Sequence, residues 1–91
     1  MAVKKQETFT KTFSVENGNV GTGSTVVPNL NISFVNHLIN DGSVDMLFSI
    51  NGGAEFTLKG SEVIADKQLV INTLSYRAAS AGGAFRLLGL G

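Results

Sequence analysis

The chain has 91 residues, enough for one domain, with seven basic and seven acidic side chains and a formal net charge of zero. It contains no cysteine and a single histidine, His37, which excludes disulfides and thiolate metal sites and argues against a histidine-based metal centre within one chain. The balanced charge argues against a nucleic-acid binder, and no apolar run approaches the roughly 18 residues of a transmembrane helix.

Charged residues make up 15% of the chain, against about 25% in a typical soluble domain, while 43% of residues are hydrophobic. A domain of this size buries only roughly 60–65% of its unfolded surface, so its core needs a supplement. Disulfides and metals being excluded, association with copies of itself or with a partner is the supplement left. Low charge and neutrality also give little colloidal repulsion, which suits a protein that lives attached to something.

Residues 1–6 read as a flexible N-terminal arm and 7–91 as one β-sandwich domain. No apolar segment follows Met1–Gln6, so no secretory signal is expected. Glu7–Val15 alternates, with Phe9, Phe13 and Val15 on one face and Thr8, Thr10, Thr12 and Ser14 on the other, as in a half-buried antiparallel strand. Lys11 interrupts the apolar face, which points to an edge strand or to a stem lying over the core. Glu16-Asn17-Gly18-Asn19 is a turn signal. Val20–Val27 is expected to be a strand with a bulged or flexible start, ended by Pro28-Asn29. Its Gly21-Thr22-Gly23-Ser24 has neither the Gly-Lys-Ser/Thr nor the helix that a phosphate loop requires.

Leu30, Ile32 and Phe34 alternate next and predict a strand with His37 at its end. Asn31-Ile32-Ser33 matches a glycosylation sequon that no secretory signal supports. No oriented partner is evident for His37, so a structural or solvent-facing role is expected rather than a general base. Asn40-Asp41-Gly42-Ser43 reads as a turn, because Asp41 and Asp45 lack the ligand spacing of a calcium loop. Val44, Met46, Phe48 and Ile50 share one face of the central strand. Asn51-Gly52-Gly53 supplies residues that tolerate positive φ, and Phe56 and Leu58 return on a second strand.

Lys59–Glu62 turns the chain into Val63–Asp66, a short strand or irregular crossing. Leu69–Ile71 begins another strand whose apolar face continues with Leu74 and Tyr76. Ala78–Gly83 reads as a flexible loop, and Ala84–Leu88 as the last strand. No helical apolar period is sustained. The expected fold is therefore all-β: a small antiparallel β-sandwich or jelly-roll-like barrel of about seven or eight short strands. Its core is expected to hold Phe9, Phe13, Ile32, Phe34, Met46, Phe48, Ile50, Phe56, Leu58, Leu69, Ile71 and Phe85. Phe85 and Leu87 face one way and Leu88 the other, more apolar surface than a sheet with one wet face needs. Leu88 and Leu90 are thus candidates for an intersubunit surface, and Lys4 and Lys5 either meet acidic groups on a partner or belong to a solubilising tail.

From Leu30 onward, about two-thirds of the chain resembles β-sandwich modules of small tailed-bacteriophage virion proteins. The resemblance rests on N-I-S-F-V-N at 31–36, L-F-S-I-N-G-G at 47–53, F-T-L-K-G-S-E at 56–62 and A-F-R-L-L-G at 84–89. It implies a non-enzymatic virion structural protein, a capsid decoration (cement) or minor structural protein that binds a protein shell. It further implies a homo-oligomer, a trimer matching a local three-fold axis, with a major capsid protein as partner in a virion assembled in the host cytoplasm. No catalytic residue, cofactor, metal or small-molecule substrate carries over. The alternative is a carbohydrate- or receptor-binding β-sandwich of a phage tail or surface accessory. Sugar binding usually needs an exposed aromatic platform, and here there is no Trp and one Tyr, Tyr76. For an enzyme, the inventory of nucleophile, base and spaced carboxylates is nearly empty.

Overall fold

The computed structural model describes residues 11–66 and 70–90, with backbone alone at 34–36, 66 and 90. These residues form eight strands: β1 (Lys11–Val20), β2 (Thr25–Val27), β3 (Phe34–Asn40), β4 (Met46–Ile50), β5 (Phe56–Leu58), β6 (Val63–Asp66), β7 (Leu74–Ala78) and β8 (Gly83–Leu90). Two four-stranded antiparallel sheets result, β1-β8-β3-β6 and β2-β7-β4-β5. First pairs with last, second with seventh, third with sixth and fourth with fifth. That is one long hairpin rolled up on itself, the topology of a jelly roll.

The inner faces of both sheets meet in a single cluster. Val20, Leu38, Phe85 and Leu87 enter it from the first sheet, and Met46, Phe48, Leu58, Leu74 and Ala78 from the second. Ile32 and Ile71 close one end through an isolated bridge. Of the expected core, Ile32, Met46, Phe48, Leu58, Ile71 and Phe85 are buried, while Phe13, Ile50 and Phe56 are half-buried and packed on the cluster. Phe9 and Leu69 lie outside the described residues, and Phe34 is described by its backbone alone.

The alternation from Val44 to Leu58 builds the hairpin it predicts, with Met46 opposite Leu58 and Phe48 opposite Phe56. Asn51 and Gly52 have φ of 53° and 75°, and the Gly53 N–H donates to the Ile50 carbonyl at 2.9 Å. Two successive positive φ values closed by that bond are the geometry of a type I′ turn. A Cβ on Gly52 would meet no neighbour within 4 Å, so a side chain there costs backbone strain alone. Gly52→Val is expected to lower stability by roughly 1–2 kcal/mol, the cost of the left-handed conformation, read as a lower melting temperature. A variant melting with the parent would mean that the turn is not held in this form.

Several boundaries differ from expectation: of the expected strand Val20–Val27, only Thr25–Val27 forms β2, and Val20 ends β1. The Leu30–Phe34 alternation is not a strand, because Asn29 and Asn31 take φ of 60° and 53° and break the extended backbone. The Leu30 N–H donates instead to the Asn72 carbonyl at 2.9 Å. β3 starts only at Phe34, so His37 sits within a strand rather than at its end. Ile71, likewise, belongs to the isolated bridge, and β7 begins at Leu74.

Glu16–Asn19 differs in another way. Val15 pairs with Phe85 and Val20 with Gly83, so these four residues bulge out of β1 opposite Ala84 alone. The expected loop Ala78–Gly83 is also tighter than its composition implies. Ala78 and Gly83 are both buried, and a Cβ on Gly83 would come 2.5 Å from Met46 Sδ and 2.9 Å from Ala78 Cβ. Glycine is required there by close packing.

Candidate interaction surface

Residues paired across strands share a face, so the register of the first sheet places its outward side chains in rows. Ser14 (β1), Arg86 (β8), Ile39 (β3) and Val63 (β6) form one row. Thr12, Leu88 and His37 form the next. Leu88 and Ile39 are half-buried and Val63 is 50% exposed, giving an apolar diagonal across β8, β3 and β6. β8 lies between β1 and β3, so Leu88 stands in the middle of the sheet rather than on an edge. Leu90, two residues on, occupies the position opposite Phe34. Lys4 and Lys5 lie outside the described residues.

The second sheet presents a more polar outer face. Leu47 stands between Thr57 and Arg77, and Ser49 opposite Ser75, with Val26 beyond on the short edge strand β2. Arg77 Nε and Nη2 donate to Glu55 Oε2 and Oε1 at 2.9 and 2.8 Å. That hydrogen bonding, with the attraction of the guanidinium, holds the Glu55 carboxyl below its usual value. The lowered value makes the pair's stabilisation present above the free carboxyl's titration range and lost as pH falls through the folded one. Because both side chains are exposed, the contribution is small.

Arg86 makes the matching fork to Asp41, with Nε to Oδ2 at 2.7 Å and Nη2 to Oδ1 at 2.9 Å. Asp41 sits in the turn after β3, so the fork ties that turn to β8. The hydrogen bonds and charge of Asp41, with a weaker contribution from Glu16, raise the guanidinium further above its ordinary value. Arg86 is thereby engaged within the chain, beside the apolar side chains of this face.

Lys11 bears out the edge-strand reading of its place. β1 is an edge strand, and the Lys11 ammonium donates to the Asn31 carbonyl at 3.0 Å and to that of Leu30 at 3.4 Å. It thus supplies donors to a loop whose left-handed residues leave those carbonyls outside any ladder. Among the described residues no group of three or more His, Asp or Glu side chains is placed to hold a metal ion, and no helix is long and apolar enough to cross a membrane.

Ile39 and Val63 were not among the expected interface residues. Each belongs to a strand whose outward face looks ordinary by itself, and they become neighbours of Leu88 only through the order β8-β3-β6. The fold and this surface define a small antiparallel β-sandwich of jelly-roll topology. Comparison with protein-family models, curated proteins and solved structures gave no significant match.

Proposed function

We propose that the protein is a non-enzymatic structural component of a bacteriophage particle, a capsid decoration or minor structural protein that seats on a protein shell as a homo-oligomer. The observation that carries this reading is the apolar diagonal Leu88–Ile39–Val63 on the outer face of the first sheet. A small domain gains stability by burying such a face against another chain. Jelly rolls recur in viral capsid and lectin domains alike, so the fold supports the reading only by analogy. The trimer and the shell rest on the resemblance of residues 30–91 to virion modules. The carbohydrate-binding alternative is weakened by Tyr76, whose ring packs inward at 4.8 Å from Phe85 and 6.0 Å from Phe13 and so offers no sugar platform.

Light scattering after size exclusion tests the association. The parent protein is expected to elute as an oligomer at micromolar concentration and Leu88→Asp as a monomer with unchanged circular dichroism. A monomeric parent would overturn the oligomer. An oligomeric parent that fails to co-sediment with phage particles would overturn the shell.

A further inference from the structure

The chain contains the dipeptide Asn-Gly twice, at 17–18 and 51–52, and the fold treats the two oppositely. Both asparagines and both glycines have positive φ, 61° and 70° at the first site and 53° and 75° at the second. At the second site the carboxamide is tied down three times. Asn51 Nδ2 donates to the Val70 carbonyl at 2.8 Å, and Oδ1 accepts from the N–H groups of Asn72 and Thr73 at 2.8 and 3.1 Å.

At the first site Glu16–Asn19 is exposed throughout and bulges from an edge strand. The bond that holds the bulge runs from Asn19 Nδ2 to the Glu16 carbonyl at 2.7 Å. The Asn17 carboxamide makes no hydrogen bond among the described residues.

From this contrast we infer that Asn17 is a site of spontaneous deamidation and that Asn51 is protected from it by the fold. The backbone nitrogen of Gly18 attacks Asn17 Cγ, forming a new C–N bond that closes a five-membered succinimide. The Cγ–Nδ2 bond breaks, and the amide proton of Gly18 leaves with the nitrogen as ammonia. Water then opens the ring at one carbonyl or the other, leaving aspartate or isoaspartate at position 17. No oxidant, metal or enzyme is needed. Glycine favours the attack because no side chain shields its nitrogen. At position 51 the carboxamide must first give up three hydrogen bonds before Cγ can turn toward Gly52. The product adds one negative charge beside Glu16 to a chain of formal net charge zero, which makes the modification a change in the field around Arg86.

Incubation of the whole protein at mildly alkaline pH and body temperature, followed by peptide mass mapping, tests this. Cyanogen bromide cleavage after Met46 puts Asn17 and Asn51 in different peptides. The Asn17 peptide is expected to gain about 1 Da, the amide-to-acid difference, in a fraction that grows over days and disappears in Asn17→Gln. The Asn51 peptide is expected to react at least about tenfold more slowly, because a tenfold ratio corresponds to only about 1.4 kcal/mol, less than three hydrogen bonds supply. In urea the two peptides should react at similar rates, which shows that the fold sets the difference. Equal rates in the folded protein, or no gain at Asn17 while the unfolded chain reacts, would overturn the inference.

Discussion

Phe48→Ala is expected to destabilise the protein by about 3–5 kcal/mol, the range for truncating a buried aromatic ring. Phe48 is fully buried and stands opposite Phe56 on β5 and Tyr76 on β7. Its ring meets the edge of Phe85 at 5.1 Å and 76°, and lies 6.0 Å from Phe56. Phe85 belongs to the other sheet, so the Phe48–Phe85 contact joins the two layers directly. Removing the ring loses its burial, leaves a cavity between sheets that are each hydrogen-bonded internally, and removes an edge-to-face pair. Small domains hold roughly 5–15 kcal/mol in all, so the variant should be near its folding limit. Urea denaturation reads the effect. A midpoint shift equivalent to under about 1 kcal/mol would contradict the packing, whereas Phe48→Leu, which keeps most of the volume, should cost less than Phe48→Ala.

Asn40→Leu is expected to cost at least about 3 kcal/mol, from three hydrogen-bonding groups left without their partner at about 1–3 kcal/mol each. Asn40 is the buried polar residue of the described core, at 0% exposure. Its Nδ2 donates to the Val44 and Leu58 carbonyls at 2.8 and 2.9 Å, and its Oδ1 accepts from the Gly42 N–H at 3.0 Å. One carboxamide thereby ties the end of β3 to the turn after it and to the end of β5 in the opposite sheet. Leucine matches the size and supplies none of these bonds. Asn40→Asp separates polarity from hydrogen bonding. A carboxylate there would face two carbonyl oxygens with no proton to donate, so its folded pKa should rise above the unfolded value of about 3.9. Stability of that variant should fall as pH rises from the unfolded value through the folded one, because the folded state then holds the extra proton. The leucine variant should lack this added pH dependence. Equal stability of parent and Asn40→Leu would show that the carboxamide does not hold the sheets together.

Local chemistry determined the parts of this fold that answer to one segment at a time. Period-two alternation in Met46–Ile50 sets which side chains can share a face, whatever lies opposite. Asn51-Gly52 needs only its own freedom at positive φ to make the turn. Lys11 on an apolar face points to an edge strand, and β1 is one. The both-sided apolar pattern of β8 marked Leu88 as a surface residue of interest.

Tertiary structure decided the rest, because those outcomes depend on partners far away in the chain. Leu30 and Ile32 alternate like a strand, yet their hydrogen bonds go to Asn72 and Ile71 across an isolated bridge. Asparagine tolerates the left-handed conformation that Asn29 and Asn31 take, and the bonds to Asn72 and Ile71 replace a strand ladder. Asn40 has the composition of a turn residue and is buried because Val44 and Leu58 bring acceptors to it. Gly83 resembles loop filler until Met46 and Ala78 close over it. Ile39 and Val63 join Leu88 only once β3 and β6 follow β8 in the sheet. A side chain's face is a property of its own strand; its neighbours across the sheet are set by the rolled-up pairing of first strand with last, which no local segment contains.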